Sequence, residues 1–351
     1  MTVAAAAPAL IVAPFAGDST EWDSFVRQQA DWTHFHLFGW RDVIRHTFGH
    51  ECLYLAARDE TGGGGIRGVL PLVRVRSLIF GHYLVSMPFL NYGGPLGDEE
   101  AQRALVDYAV AVAQRDHVTL LELRSRKALP VSLPASHRKI TLVLDLPPGN
   151  PDALWKGFDA KVRSQVRRPQ KDGVTVRFGP EQVAPFFHVF SRHMRDLGTP
   201  TQPRRLFETI AARFPEDAWF GCAYLDERPV ACGCGFRWGT EFEMTWAAAL
   251  REFNRSAPNM LLYWAFMERA TREGLTLFNF GRCSPGGGTH RFKLQWGSRE
   301  ERLWWYGVSR RAGVATPSPD DGAYAWGPRV WRRLPLGLAT AIGPKIVRLI
   351  P

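Results

Sequence analysis

Two stretches of this chain read alike, and that doubling constrains its fold more than any other feature. Glu51 to Glu60, "ECLYLAARDE", is a short apolar run closing in turn residues, and Ala218 to Glu227, "AWFGCAYLDE", has the same form. Each is followed by a second strand-like run, "IRGVLPLVRV" after a glycine turn and "PVACGCGFRW" after "DER". Third strands follow near "SLIFGHYLVSM" and "TEFEMTWAAAL". A helix comes next, "AQRALVDYAVAVAQRDH" or "APNMLLYWAFMERATREG", leading to a strand, "VTLLEL" or "LTLFNF". Ala104, Leu105, Tyr108, Ala109 and Val112 share one face at helical spacing, as an amphipathic helix requires. Its counterpart from Met260 to Met267 is apolar all round, which predicts a helix enclosed between its sheet and a neighbouring domain. The pattern predicts an α/β (α+β) protein whose domain has been duplicated.

A length of 351 residues accommodates two or three such domains, each with its own core. The run "DLPPGNPDALWKGF" carries two prolines, a glycine and an asparagine, and predicts a boundary that separates residues 1–147 from 148–311. Beyond Arg311 the composition turns to Pro, Gly and Ser, so 312–351 is expected to be a tail outside the second domain. Its end, "VWRRLPLGLATAIGPKIVRLIP", mixes Arg332, Arg333, Lys345 and Arg348 with leucine and isoleucine. That segment is too short to span a bilayer; it suits either the headgroup plane of a membrane or packing on the protein itself.

The balance of 44 Lys+Arg against 34 Asp+Glu favours phosphate-bearing partners: nucleic acid, nucleotide or lipid pyrophosphates, or an anionic membrane face. Five cysteines do not form a disulfide framework at this length. Cys232 and Cys234 share a strand face with Val230 and Phe236 and read as buried small hydrophobes, with no second ligand pair for zinc. His46 and His50 lack a metal-site context and read as structural. The apolar start, "MTVAAAAPALIVAPFAG", lacks the positive region of a secretory signal and contains Pro8 and Pro14. A cytoplasmic location, peripheral to the inner membrane if the tail binds there, is the expectation.

Helix, antiparallel strands, helix, strand is the order of the GNAT acetyltransferase fold, and a tandem pair narrows the choice. The stretches "LFGWRDVIRHTFGH", "PFLNYGGPLGD", "LWKGFDAKVRSQVRRPQKDGV", "SRHMRDLGTP" and "FNFGRCSPGGGTHRFKLQWGS", in that order, run from about Leu37 to Tyr306. Together they resemble the FemAB family, the non-ribosomal aminoacyl and acyl transferases of bacterial cell-envelope synthesis, and in particular the branch associated with exosortase (XrtA) and PEP-CTERM systems. The resemblance implies two tandem GNAT-like acyltransferase domains. It implies transfer to an amine of a peptidoglycan-like or exopolysaccharide precursor, with aminoacyl-tRNA or acyl-CoA as donor and no permanently bound cofactor. Two other readings compete: an acetyl-CoA-dependent N-acetyltransferase of a sugar or sugar nucleotide, and a non-catalytic RNA- or membrane-binding module.

The resemblance also carries residue roles. The lysine of the family's "FK" motif faces the reacting ends of the substrates, and here it is Lys293, suited to stabilise a tetrahedral oxyanion. Arg291 can hold a phosphate bidentately. Trp296, with Trp304, Trp305 and Tyr306, suits either an aromatic wall for a sugar or nucleotide or simple filling of a cleft between domains. Gly286 to Gly288 permit positive φ, as a lid over substrate or a hairpin loop would need. Asp98 matches an acidic position that would orient the amine, and Glu243, on one strand face with Glu241, is a candidate base. Arg163, Arg167 and Arg168, flanked by Lys161 and Lys171, repel one another on a helix, which bound phosphate would relieve; a solvated helix face is the alternative. Arg251, Arg255 and Asn259 are placed for the donor. Ser256, Ala257 and Pro258 replace the glycines with which coenzyme-A-dependent relatives cradle pyrophosphate, and Pro258 has no N–H to offer.

Overall fold

The computed structural model describes residues 10–59, 65–77, 80–309 and 327–350. The chain divides into two compact units, one of which runs to His137 and recovers the strand that follows Leu303. The other comprises Arg138–Arg302 and the described part of 317–348.

The first unit contains β1 (Leu10–Pro14), α1 (Ser19–Gln28), α2 (Gly39–Phe48), β2 (Glu51–Asp59), β3 (Ile66–Ser77), β4 (Gly81–Val85), β5 (Leu96–Gly97), α3 (Glu99–Arg115), β6 (Leu120–Ser125) and β7 (Ala135–Ser136). The second contains β8 (Ile140–Asp145), α4 (Pro151–Gly157), α5 (Ala160–Lys171), β9 (Thr175–Phe178), α6 (Val183–Leu197), α7 (Arg204–Arg213) and β10 (Ala218–Leu225). It continues with β11 (Arg228–Trp238), β12 (Glu241–Ala249), α8 (Pro258–Arg272), β13 (Leu277–Cys283), α9 (Gly288–Leu294) and β14 (Arg299–Arg302). Strand β15 (Trp304–Ser309) belongs to the first unit, and α10 (Gly327–Trp331) and α11 (Leu336–Val347) to the second.

The duplication is visible strand by strand. In the first sheet, ordered β1-β2-β3-β4-β6-β15-β7, antiparallel β2, β3 and β4 meet β6 in parallel. In the second, ordered β14-β8-β13-β12-β11-β10-β9, antiparallel β10, β11 and β12 meet β13 in parallel. Helices α3 and α8 make the crossovers, as parallel strands require. Outside each parallel pair lies one more antiparallel strand: β15 on β6 and β8 on β13.

That last feature corrects two expectations. The break falls after His137, ahead of the proline-rich run at 147–148, because β8 is already a strand of the second sheet. Residues 304–309 likewise leave the second domain for the first sheet, where the Tyr306 hydroxyl accepts the Leu129 N–H at 2.8 Å. Trp304 packs edge-on against His137 and Trp305 lies under Arg124, so these rings serve the first unit's own packing.

Adjacent residues of a strand face opposite sides of its sheet. Trp219 stacks on Phe242 in the core beneath α8, while neighbouring Phe220 meets Phe186 of α6. The second sheet is therefore covered by α4, α5 and α8 on one face and by α6 and α7 on the other. Apolar-all-round α8 is enclosed as expected, but by α4 and α5 of its own unit: Trp264 contacts Trp155 and Phe158. Cys222, Cys232 and Cys234 are buried in this unit, with burial pushing their thiols up.

Of the tail expected over 312–351, residues 312–326 lie outside the described residues, and 327–350 are not detached. Helices α10 and α11 pack on α6, where Arg332 donates twice to the Leu197 carbonyl and Arg195 donates to that of Leu334. No helix among the described residues is long and apolar enough to cross a membrane.

Candidate functional site

The second sheet opens at one point. Strands β12 and β13 pair only from Glu241↔Leu277 to Glu243↔Asn279. Thr245 is then an extra residue in β12, opposite the step from Cys234 to Gly235. A bulge of this kind bends its strand and reverses which residues face each side. Phe242 and Met244 belong to the core under α8, whereas past the bulge it is Ala247 and Ala249 that pack there. Beyond Asn279, β13 has an irregularity of its own against β8.

Parting strands strand polar groups, and the sequence supplies partners for them. Asn279 is fully buried; its Oδ1 accepts from Thr141 Oγ1 at 2.5 Å and from the Gly281 N–H at 2.8 Å, and its amide donates to Glu241 at 2.8 Å. Lys293 Nζ, from α9, donates to the Gly281 carbonyl at 2.5 Å and the Arg282 carbonyl at 3.0 Å. Lys293 is 3% exposed and Glu243 is 0% exposed, and the Thr245 hydroxyl donates to Glu243 Oε1 at 3.1 Å. Burial depresses the Lys293 pKa to about 8, with Arg282 lowering it further, against the opposing pull of Cys283 and Glu243. An ammonium with two of its three hydrogens committed to backbone still has one to direct at a developing charge.

Glu243 lies near enough to Lys293 for its charge to pull the ammonium's pKa upward. The Glu241/Glu243 face is interior, and Lys293 sits on a short helix, not a strand. The loop before it is also not the free lid expected. Gly286 alone of the three glycines has positive φ, at 79°. His290 Nδ1 accepts the Gly286 N–H at 3.0 Å, and Arg291 donates to the Gly286 carbonyl at 3.0 Å. The other imidazole nitrogen of His290 meets Glu300 at 2.8 Å. A side chain at Gly286 or Gly288 would meet nothing within 4 Å, so crowding does not explain them.

Other expected residues take different places. Trp296 is buried in the core against Phe158 and forms no substrate wall. Arg291 is exposed and tied to Gly286. Arg163 donates to the carbonyls of Lys156 and Phe158, closing the end of α4, and Arg167 lies over the Trp155 ring. Arg168, with Lys161 and Lys171, faces outward. Arg251 and Arg255 are exposed and Asn259 half-buried at the start of α8. In that turn the N–H groups of Ser256, Ala257 and Met260 bond within the loop, and Ala257 itself has positive φ. Asp98, expected to orient the amine, lies in the first unit at the start of α3. It caps α3 through the Ala101 N–H and pairs with Arg67, and although burial works to raise its pKa, those bonds hold it below the ordinary carboxylate range.

The equivalent opening in the first unit is closed by its own chain. Strands β4 and β6 also pair for three positions, ending at Val85↔Glu122. There Ser86 Oγ accepts the Arg124 N–H at 2.7 Å, the Gly93 N–H donates to the Arg124 carbonyl, and the Arg124 guanidinium reaches the Leu90 carbonyl and Glu122. Met87 and Phe89, both at positive φ, carry the turn that fits this segment in. Among the described residues, only the second unit combines the opening with a buried ammonium.

A groove of about 590 Å³ lies elsewhere in the second unit, lined by Val176, Phe178, Trp264, Arg269 and Arg272 among others. None of the residues above except α8 neighbours borders it, and its arginines are engaged with Glu273 and Glu268. Asn279 was missed by sequence reasoning, although a signal existed: the matching strands "VTLLEL" and "LTLFNF" both place a polar residue, Glu122 or Asn279, at the same interior position.

The doubled sheet and the structural comparisons agree on the fold, two tandem GNAT-like domains. Residues 156–294 match the family model described as an acetyltransferase (GNAT) domain. Among solved structures the chain is similar to FemX, with TM-score 0.65 and 15% identity over 84% of this chain and 97% of that one. It is also similar to the C-terminal domain (DUF2156) of a candidate lysylphosphatidylglycerol synthetase from Agrobacterium fabrum, with TM-score 0.56 and 14% identity over 84% and 92%. A tandem GNAT protein from the clavulanic acid biosynthesis pathway gives TM-score 0.53 and 16% identity over 88% and 100%. At these identities the likeness is one of fold. No curated protein matches the sequence in the corresponding search.

Proposed function

We propose that the second unit transfers an acyl or aminoacyl group to an amine of a peptidoglycan-like or exopolysaccharide envelope precursor. The observation that carries the reading is the buried Lys293 ammonium beside Glu243, at the point where β12 and β13 part. The donor carbonyl enters this opening and the acceptor amine attacks it. The C–N bond forms, charge collects on the carbonyl oxygen, and Lys293 stabilises that oxyanion. Glu243 takes the proton lost by the amine, and as the intermediate collapses the bond to the donor's leaving oxygen or sulfur breaks and that proton passes to it, releasing an alcohol or thiol.

Aminoacyl-tRNA is the preferred donor. The α8 entry turn spends the amides that would hold a pyrophosphate, and Pro258 has none, while Arg168, Lys161 and Lys171 present a solvent-facing basic edge for a phosphate backbone. FemX and the lysylphosphatidylglycerol synthetase domain share the fold, which agrees with an aminoacyl donor and a lipid or peptidoglycan precursor as acceptor. The exosortase-associated branch that the motifs resemble would make the polymer an exopolysaccharide, made at the inner face of the membrane.

The test is a screen of aminoacyl-tRNA and acyl-CoA donors against amine-bearing envelope precursors, read by mass shift. Lys293→Ala is expected to slow transfer at least about tenfold with the fold retained, and Glu243→Gln to slow it comparably. Turnover unchanged in both folded variants would remove this pair from the mechanism. The family model's acetyltransferase description keeps acetyl-CoA as a second reading, and tight coenzyme A binding by calorimetry would place it first.

A further inference from the structure

The outer face of the C-terminal helices is built of the wrong residues for water. On α11 the exposed positions are Gly337, Leu338, Ala341, Ile342 and Lys345, of which the last four follow the spacing i, i+3, i+4, i+7 that marks one helix stripe. The adjacent stripe is closed by small residues: Ala339 is buried, and Gly343 sits so near the Thr201 backbone that a Cβ would come within 2.9 Å. A surface helix normally turns its apolar stripe inward and a charged one outward. Here the two buried positions, Ala339 and Gly343, are small, and the side that faces out carries Leu338 and Ile342.

The neighbourhood extends this pattern. Six large apolar side chains are exposed among the described residues, and four of them lie here: Leu338 at 45%, Ile342 at 36%, Val330 of α10 at 53% and Leu197 of α6 at 40%. From Gly327 to Pro351 the sequence contains Arg329, Arg332, Arg333, Lys345 and Arg348 and not one Asp or Glu. Arg332 is committed to the Leu197 carbonyl, while Arg329, Arg333, Lys345 and Arg348 are exposed. Trp331, an amphipathic ring suited to a headgroup layer, is half-buried among them. The anchoring of this platform on α6 holds it as a fixed part of the second unit.

We propose that α10 and α11 form a docking surface for an anionic lipid bilayer, with Leu338, Ile342 and Val330 entering the acyl boundary and the flanking arginines and lysine meeting lipid phosphates. A protein partner would be expected to find mixed charge here; the segment of α10 and α11 brings five cations and no acid, and Asp196 beside Leu197 is paired with Arg195, which fits a surface that is itself uniformly negative. The proposal holds whatever chemistry Lys293 performs.

The experiment uses the full chain and sedimentation with vesicles, either pure phosphatidylcholine or equal parts phosphatidylcholine and phosphatidylglycerol. The protein is expected to pellet with the anionic vesicles only, and less so as salt is raised. Leu338→Glu with Ile342→Glu is expected to lower partitioning at least about tenfold. Arg333→Glu with Lys345→Glu is expected to lower it and flatten the salt dependence. These side chains are exposed, and matched thermal melts verify folding of each variant. Equal pelleting of Leu338→Glu/Ile342→Glu and the parent protein would overturn the proposal, as would absence of the parent from both pellets. A dimer in light scattering that Leu338→Glu dissolves, without vesicle binding, would assign the face to a second copy of the chain instead.

Discussion

At the level of single residues, Lys293 is the position where structure and chemistry press hardest on each other. Its pKa of about 8, down from 10.5, is caused first by burial. Below about 8 both folded and unfolded chains carry the proton, and burying the charge costs roughly 3 kcal/mol. Between about 8 and 10.5 the folded chain gives up its proton first, so this group's contribution to stability becomes more favourable as pH rises. A rate that needs the ammonium moves the other way. Turnover is expected to fall as pH passes about 8 and, in Lys293→Arg, to keep no such limb, as a kcat–pH profile would record. A rate that climbs through the same window would make Lys293 a base instead. That lysine was legible from its motif and Glu243 was named as a candidate base, but the lysine's two carbonyl partners and the burial of Glu243 were not legible, because nothing in "TEFEMTW" says which strand face is interior.

At the level of the element, the bulge in β12 sets the site. Gly235 lies opposite it, and a Cβ there would come 2.1 Å from the Glu243 carbonyl oxygen. Gly235→Ala is therefore expected to displace β12 at its functional residue, costing about 2–4 kcal/mol in a denaturant titration and reducing transfer even in the folded fraction. Gly288→Ala, with open space around the added methyl, is expected to stay within about 0.5 kcal/mol. The helix α9 was misread as one arm of a hairpin for a physical reason. In "HRFKLQW" the apolar Phe292 and Leu294 alternate with charge as in a strand, and seven residues offer too few turns for helical periodicity to declare itself. The decision comes from outside the segment: Phe292 packs against Tyr263 of α8, and Lys293 finds the carbonyls freed by β13. Asp98 shows the converse, since "GDEE" ahead of an apolar run already has the form of a helix start, and capping is what it does.

At the level of the whole molecule, the two sheets do not follow the order of the chain. Strand β15 pairs with β6 from Trp304↔Ser125 to Ser309↔Leu120, and β7 pairs with β15 in turn. Proline at both Tyr306 and Val308, which unpairs β15 without removing α10 and α11, is expected to lower the urea midpoint of the first unit, with the second unit's transition retained. An unchanged first transition would mean that β15 contributes nothing to that sheet's stability.

Sequence alone determined the duplication, the three-strand, helix, strand order of each copy, the enclosed character of α8 and the family motif that contains Lys293. All of these follow from periodicity and local composition, which a linear chain displays directly. Only the tertiary structure decided where β8 and β15 pair, that the first unit's opening is closed by Ser86 to Gly93, and that Glu243 and Lys293 share a buried space. Each of those depends on which distant backbone groups lack a partner until the sheets assemble, and an unmet hydrogen bond leaves no mark in the residues that will come to meet it.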